Sequence, residues 1–101
     1  MATVFKGFES TDVTTETTVY TTPASTITTI VGMTIANTSA STVLVSVKKN
    51  VAYMAKSVPI PVGGSLIVVG GEQKTVMNTA STLSVLSDGT VDVILSVMEQ
   101  A

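Results

Sequence analysis

The sequence predicts an all-β domain: a small antiparallel β-sandwich or jelly-roll-like barrel of about eight strands with an extended N-terminal arm. Three observations carry that expectation. Valine, threonine and isoleucine dominate a chain in which charged residues make up only 12%, and these β-branched side chains are stiff at χ1 and fit a pleated surface. Apolar residues recur with period two, and no segment holds a helical period. Turn residues punctuate the chain at intervals of about 8–12 residues, as in small sandwiches.

The elements follow in order. Residues 1–15, MATVFKGFESTDVTT, differ in composition from the rest and hold both phenylalanines. They are read as an arm, with Val4, Phe5 and Phe8 as candidate anchors for a partner; the alternative is that the phenylalanines cover an edge of the domain's own core. Residues 16–101 form a single β-sandwich domain. Its first strand spans Thr17–Thr22 and stops at Pro23, which has no N–H to donate to a ladder. TITTIVGMTIAN (26–37) alternates, with Ile27, Thr29, Val31, Met33 and Ile35 on one face. Thr28 falls on the other, expected outward. TVLVSVKK (42–49) places Val43, Val45 and Val47 together, and Asn50 marks a tight reversal into VAYMAKSV (51–58). PIPVGG (59–64) is a loop. SLIVV (65–69), apolar on both faces, is expected to be buried on both. GGEQ (70–73) turns the chain into KTVMN (74–78). TLSVLS (82–87) leads to Asp88-Gly89, a strong hairpin signal, and TVDVILSVME (90–99) closes the fold. Val91, Val93, Leu95 and Val97 point inward there, with Asp92, Ser96 and Glu99 in wetter positions.

Composition narrows the function. The chain has 101 residues, enough for one domain. A chain this short buries a modest share of its surface and gains from partner subunits. It has neither cysteine nor histidine, so disulfides and the common zinc and copper sites have no ligands. The absent cysteines fit a reducing cytosol. Five lysines, no arginine and a net charge of −2 oppose a nucleic-acid role, which needs clustered cations against phosphate. The most apolar stretch, VPIPVGGSLIVVGG (58–71), is too short and too broken by proline and glycine to span a membrane. MATVFKGFESTD lacks the long apolar run of a secretory signal.

Catalytic constellations are equally sparse. Without histidine there is no Ser-His-Asp or Cys-His set. Lys56 and Ser57 are adjacent on a strand and point to opposite faces. Gly70-Gly71-Glu72-Gln73-Lys74 lacks P-loop spacing and a following helix. Glu9, Asp12 and Glu16 fit no calcium loop and are read as solvated. Asp88 is explained by its turn, Asp92 by an outward place on its strand. Asn37-Thr38-Ser39 fits a glycosylation sequon that has no consequence without secretion. Tyr20 and Tyr53 make a thin platform for stacking a sugar. The expectation is a non-enzyme with no cofactor and no metal.

The order of segments adds a resemblance. VYTTPASTITTIVGMTIANTSAS (19–41), VLVSVKKN (43–50), YMAKSVPIPVGGSLIVVGGEQKTVM (53–77) and VDVILSVMEQ (91–100) resemble small virion structural proteins of tailed bacteriophages. In those a YT-PA strand end precedes I-G-IAN-S-S, then PIP-GGSL and GG-QK-V, with a closing DVILS strand. The resemblance covers about residues 19–99 and contains no catalytic letters. It implies a structural subunit of the virion, synthesised in the bacterial host cytoplasm: a capsid decoration (cement) protein or a neck or tail accessory. Its implied partners are copies of itself as a homo-oligomer and other virion proteins, with neither nucleic acid nor membrane. The alternative from the residues is a carbohydrate-binding or adhesin-like module, with polar loops at the sheet ends.

Overall fold

The computed structural model describes residues 3–69 and 74–101. These form nine strands and no helix: β1 (Thr3–Val13), β2 (Thr17–Thr21), β3 (Ile27–Asn37), β4 (Val43–Lys49), β5 (Ala52–Ile60), β6 (Ser65–Val69), β7 (Thr75–Met77), β8 (Thr82–Ser87) and β9 (Val91–Gln100). They make two antiparallel sheets packed face to face. One is ordered β1-β9-β3-β6, with β7 also on β3, and the other β2-β8-β4-β5. The all-β sandwich follows from residues that can bury one face and wet the other.

The core lies between the sheets. β9 contributes Val91, Val93, Leu95 and Val97, β4 contributes Val43, Val45 and Val47, and β8 adds Leu83 and Val85, all buried. All three are period-two faces, and those of β9 and β4 were read as such from the sequence. β3 is less regular. Thr28 and Ile30 are buried, and so are Met33 and Ile35, which have the opposite parity. The pairing of β3 with β9 shifts register between Ile30 and Gly32, and this β-bulge inverts the alternation halfway along the strand. Thr28 therefore points inward, not outward as a straight strand would have it.

Three further expectations change. The stretch read as an arm is extended, and from Thr3 to Ser10 it pairs residue for residue with β9. SLIVV is not buried on both faces. It is the edge strand β6, paired among the described residues only with β3, and its Ile67 is 69% exposed. Asp88-Gly89 does not close a hairpin either. β8 and β9 belong to different sheets, so the turn is a corner that carries the chain across the sandwich.

That corner is tightly held. Asp88 Oδ1 accepts from the Leu44 amide at 2.8 Å, and the Asp88 amide donates to the Leu44 carbonyl at 3.3 Å. At Gly89 an added Cβ would lie 2.4 Å from Val43 Cγ1, inside the buried core. Gly89→Ala is expected to lower stability by about 1–3 kcal/mol through overpacking, read as a drop in the urea midpoint at unchanged slope. A second corner rests on Asn37. Its amide donates to the Ser41 and Ile60 carbonyls, each at 2.9 Å, and its Oδ1 accepts from Ser39 N and Ser39 Oγ. The sequon asparagine is a buried structural strut.

Candidate functional site

Period two gives the β1-β9-β3-β6 sheet an inner and an outer face, and the outer face carries several exposed apolar residues. Cross-strand pairing sets Phe5 beside Met98, then Thr29, then Val76 in one row. Glu9, Ile94, Thr34 and Ile67 form another. Between the two rows lie Gly7, Ser96 and Gly32, all small residues. Phe5 is 71% exposed, and Ile27, Ile67, Val76 and Ile94 are exposed as well. Exposed apolar groups gathered on one face mark a contact surface more often than singly scattered ones do. The hydroxyls of Thr29, Thr34 and Ser96 can meet a partner without the desolvation cost of buried ion pairs.

The three candidate anchors separate. Phe5 joins this outer face. Val4 and Phe8 have the other parity; Val4 is exposed, whereas Phe8 is half-buried with its ring centroid 5.2 Å from that of Tyr20. Phe8 thus covers an edge of the core, as the alternative for the phenylalanines supposed.

Phe8 leads to a polar seam that the sequence reading missed. Glu99 continues the odd-numbered inner face of β9 and is buried. Its Oε1 pairs with Lys6 Nζ at 2.9 Å, and its Oε2 accepts from the Tyr20 phenol. Thr28 completes the set, its hydroxyl 2.8 Å from the phenol oxygen; the single phenolic proton goes to Glu99, so Thr28 is the donor. The strict parity of Val91, Val93, Leu95, Val97 and Glu99 was the available signal. The habit of placing acids in water concealed it. Lys6, Phe8, Val19, Tyr20, Pro23 and Glu99 line an adjoining cleft of about 440 Å³.

Electrostatics lock this seam. Burial, reinforced by the hydrogen bond to Glu99, pushes the Tyr20 phenol up to about 12. Hydrogen bonds from Tyr20 and then Lys6 hold the Glu99 carboxyl below its usual range. The phenol is held neutral and the carboxylate charged, away from the near-neutral values that suit proton transfer. The alkaline sign follows. A raised folded-state value means that the native state keeps a proton which the unfolded state releases from 10.0 upward. This contribution to stability is complete below that pH and lost as pH rises through about 12. Tyrosinate absorbance should accordingly contain a component with a midpoint near 12 that Tyr20→Phe removes.

Other candidates are dispersed. Lys48 Nζ pairs with Glu16 at 2.7 Å, and the ammonium groups of Lys48 and Lys56 stand 5.8 and 5.1 Å from the Tyr53 ring centre. Tyr20 and Tyr53 lie on β2 and β5, opposite edges of one sheet, so they share no stacking platform. The Asp12 amide donates to Asp92 Oδ1. Among the described residues, no group of three or more Asp, Glu, Cys or His could hold a metal ion. The GGEQ loop lies outside the described residues.

Comparison with known proteins shows no family for this chain. No family model matches the chain, and no curated protein does. A solved structure described as "Bacillus endospore appendages form a novel family of disulfide-linked pili" is similar over 99% of this chain and 87% of that one. Its sequence identity is 11% and its TM-score 0.49. At that distance no residue's role passes from one chain to the other.

Proposed function

We propose that this chain is a non-enzymatic structural subunit that works by docking, and that its setting is the virion of a tailed bacteriophage. One observation carries the docking part: the outer face of the five-stranded sheet presents Phe5, Ile27, Ile67, Val76 and Ile94 to solvent with hydroxyl-bearing residues between them. A low net charge of −2 lets many copies sit side by side with little repulsion. The virion setting comes from the segment resemblance over residues 19–99. It makes the partners copies of the chain and other virion proteins, on the shell as a decoration subunit or at the neck or tail. A carbohydrate module would need exposed aromatic rings gathered at one site; Tyr20 is buried against Phe8, and Tyr53 stands on the opposite edge of its sheet.

Mass spectrometry of purified particles tests the setting. The expected result is a fixed stoichiometry to the major capsid protein, high for a shell subunit and low for a neck or tail ring. Particles that lack the chain would refute it.

A further inference from the structure

The two sheets offer edges of very unequal kind. β2 has five residues and a register shift. β5 is long but carries Pro59 and a left-handed Ser57 at φ 50°, features that blunt an edge against pairing. β6 and β7, five and three residues long, share one edge of β3. β1 differs from all of these. It is 11 residues long with no proline, its ladder to β9 is regular from Thr3 to Ser10, and its first left-handed residue is Asp12, at φ 53°. Among the described residues only β9 pairs with it, so its other side presents free N–H and C=O groups. A charge pointing inward is one device that protects such edges, but that of Lys6 is matched by Glu99 of the same chain.

We propose that this edge pairs with the same edge of a second copy, antiparallel about a two-fold axis at Gly7, joining the two sheets into one. The inference deepens the docking reading and rests on it. The register follows from three requirements. Antiparallel neighbours must point to the same face, so the two paired residue numbers sum to an even number. Centring on the regular stretch Thr3–Ser10 then leaves Lys6 or Gly7 as the axis. An axis at Lys6 sets two ammonium groups directly opposite each other, which is repulsive. With the axis at Gly7, Lys6 faces Phe8 of the second copy, a cation–π arrangement. Phe5 faces Glu9 and lies diagonal to the opposing Gly7, where an aromatic ring can cover the bare backbone. The contact is isologous and closed, and it runs the exposed apolar rows of both copies into one surface.

The chain has no cysteine, which makes the axis directly testable. An added Cβ at Gly7 meets nothing nearer than the Leu95 carbonyl oxygen, at 4.0 Å, so Gly7→Cys should fold normally by circular dichroism. Directly paired residues sit about 4.5–5.5 Å apart at Cα, within the reach of a disulfide. Mild oxidation of Gly7→Cys should link most of the chain into dimers. Val51→Cys, at a hairpin tip 90% exposed, should stay monomeric on a denaturing gel. Gly7→Lys, which sets two charges on the axis, should shift the untagged protein from dimer to monomer by light scattering. Equal linking of both cysteine variants, or none with Gly7→Cys, overturns the pairing. Oligomers by light scattering without linking at Gly7 would place the contact elsewhere and leave the docking reading intact. A chain monomeric at every concentration overturns the pairing too. Absence from virions bears on the setting alone, because the dimer is measured on purified chain.

Discussion

Val93→Asp is expected to leave the chain unfolded, with a coil-like far-ultraviolet spectrum and no cooperative urea transition at neutral pH. Val93 is 1% exposed on β9, the strand bonded to both β1 and β3, and it stands between Ser10 and Ile35. The substitution forfeits about 1.5–3 kcal/mol of apolar transfer. It also forces a carboxylate into a space with no cation, at a cost of several kcal/mol more. A domain of this size has a total stability of roughly 5–15 kcal/mol, and a small one falls toward the lower end. The penalty therefore reaches the whole stability. A sheet spectrum and a normal transition for Val93→Asp would mean that β9 is built in a different register.

Thr28→Asp is expected to have the second largest effect. On a strand without a bulge Thr28 would face water, and a carboxylate there would cost the fold little. The structure puts Thr28 at 0% exposure, directly across from Glu99 in the β3–β9 ladder and in contact with the Tyr20 phenol. A new carboxylate would stand beside an existing one, whose cation, Lys6, is already paired with it. Like charges directly opposite destabilise a sheet, and two carboxylates sharing a site cannot both ionise cheaply. A loss of about 3–5 kcal/mol is expected, the scale of an uncompensated buried charge. Acidification should restore part of it as the added carboxyl takes up a proton, whereas Thr28→Val should lose only the hydroxyl's hydrogen bond, about 1 kcal/mol. Urea midpoints at pH 5 and pH 8 distinguish these cases. An unchanged midpoint for Thr28→Asp at pH 8 would place the side chain in solvent.

The two substitutions mark where sequence legibility begins and ends. Val43, Val45 and Val47, like Val91 to Val97, could be placed by parity alone, because regular ladders keep side chains alternating. β3 could not, because a bulge at Val31–Gly32 depends on which neighbour the strand pairs with, and that choice is tertiary. Asp88-Gly89 read as a hairpin because the dipeptide reports a reversal and is silent about which sheet receives the next strand. SLIVV read as central because an apolar run suits either a buried strand or an edge destined for a partner. The outer face of Phe5, Ile94 and Ile67 was hidden for a related reason. Its residues are far apart in sequence and become neighbours only through register.

The pairing of Thr3 with Gln100 has a consequence for synthesis. The first strand leaves the ribosome long before its hydrogen-bonding mate exists, and β3 likewise waits for β9. Until β9 is made, β1 has no ladder partner and β3 can pair only along its other edge, with β6 and β7. Such late closure favours slow folding and aggregation of incomplete chains. A chaperone engaged on the nascent polypeptide should therefore let go only after β9 has cleared the exit tunnel.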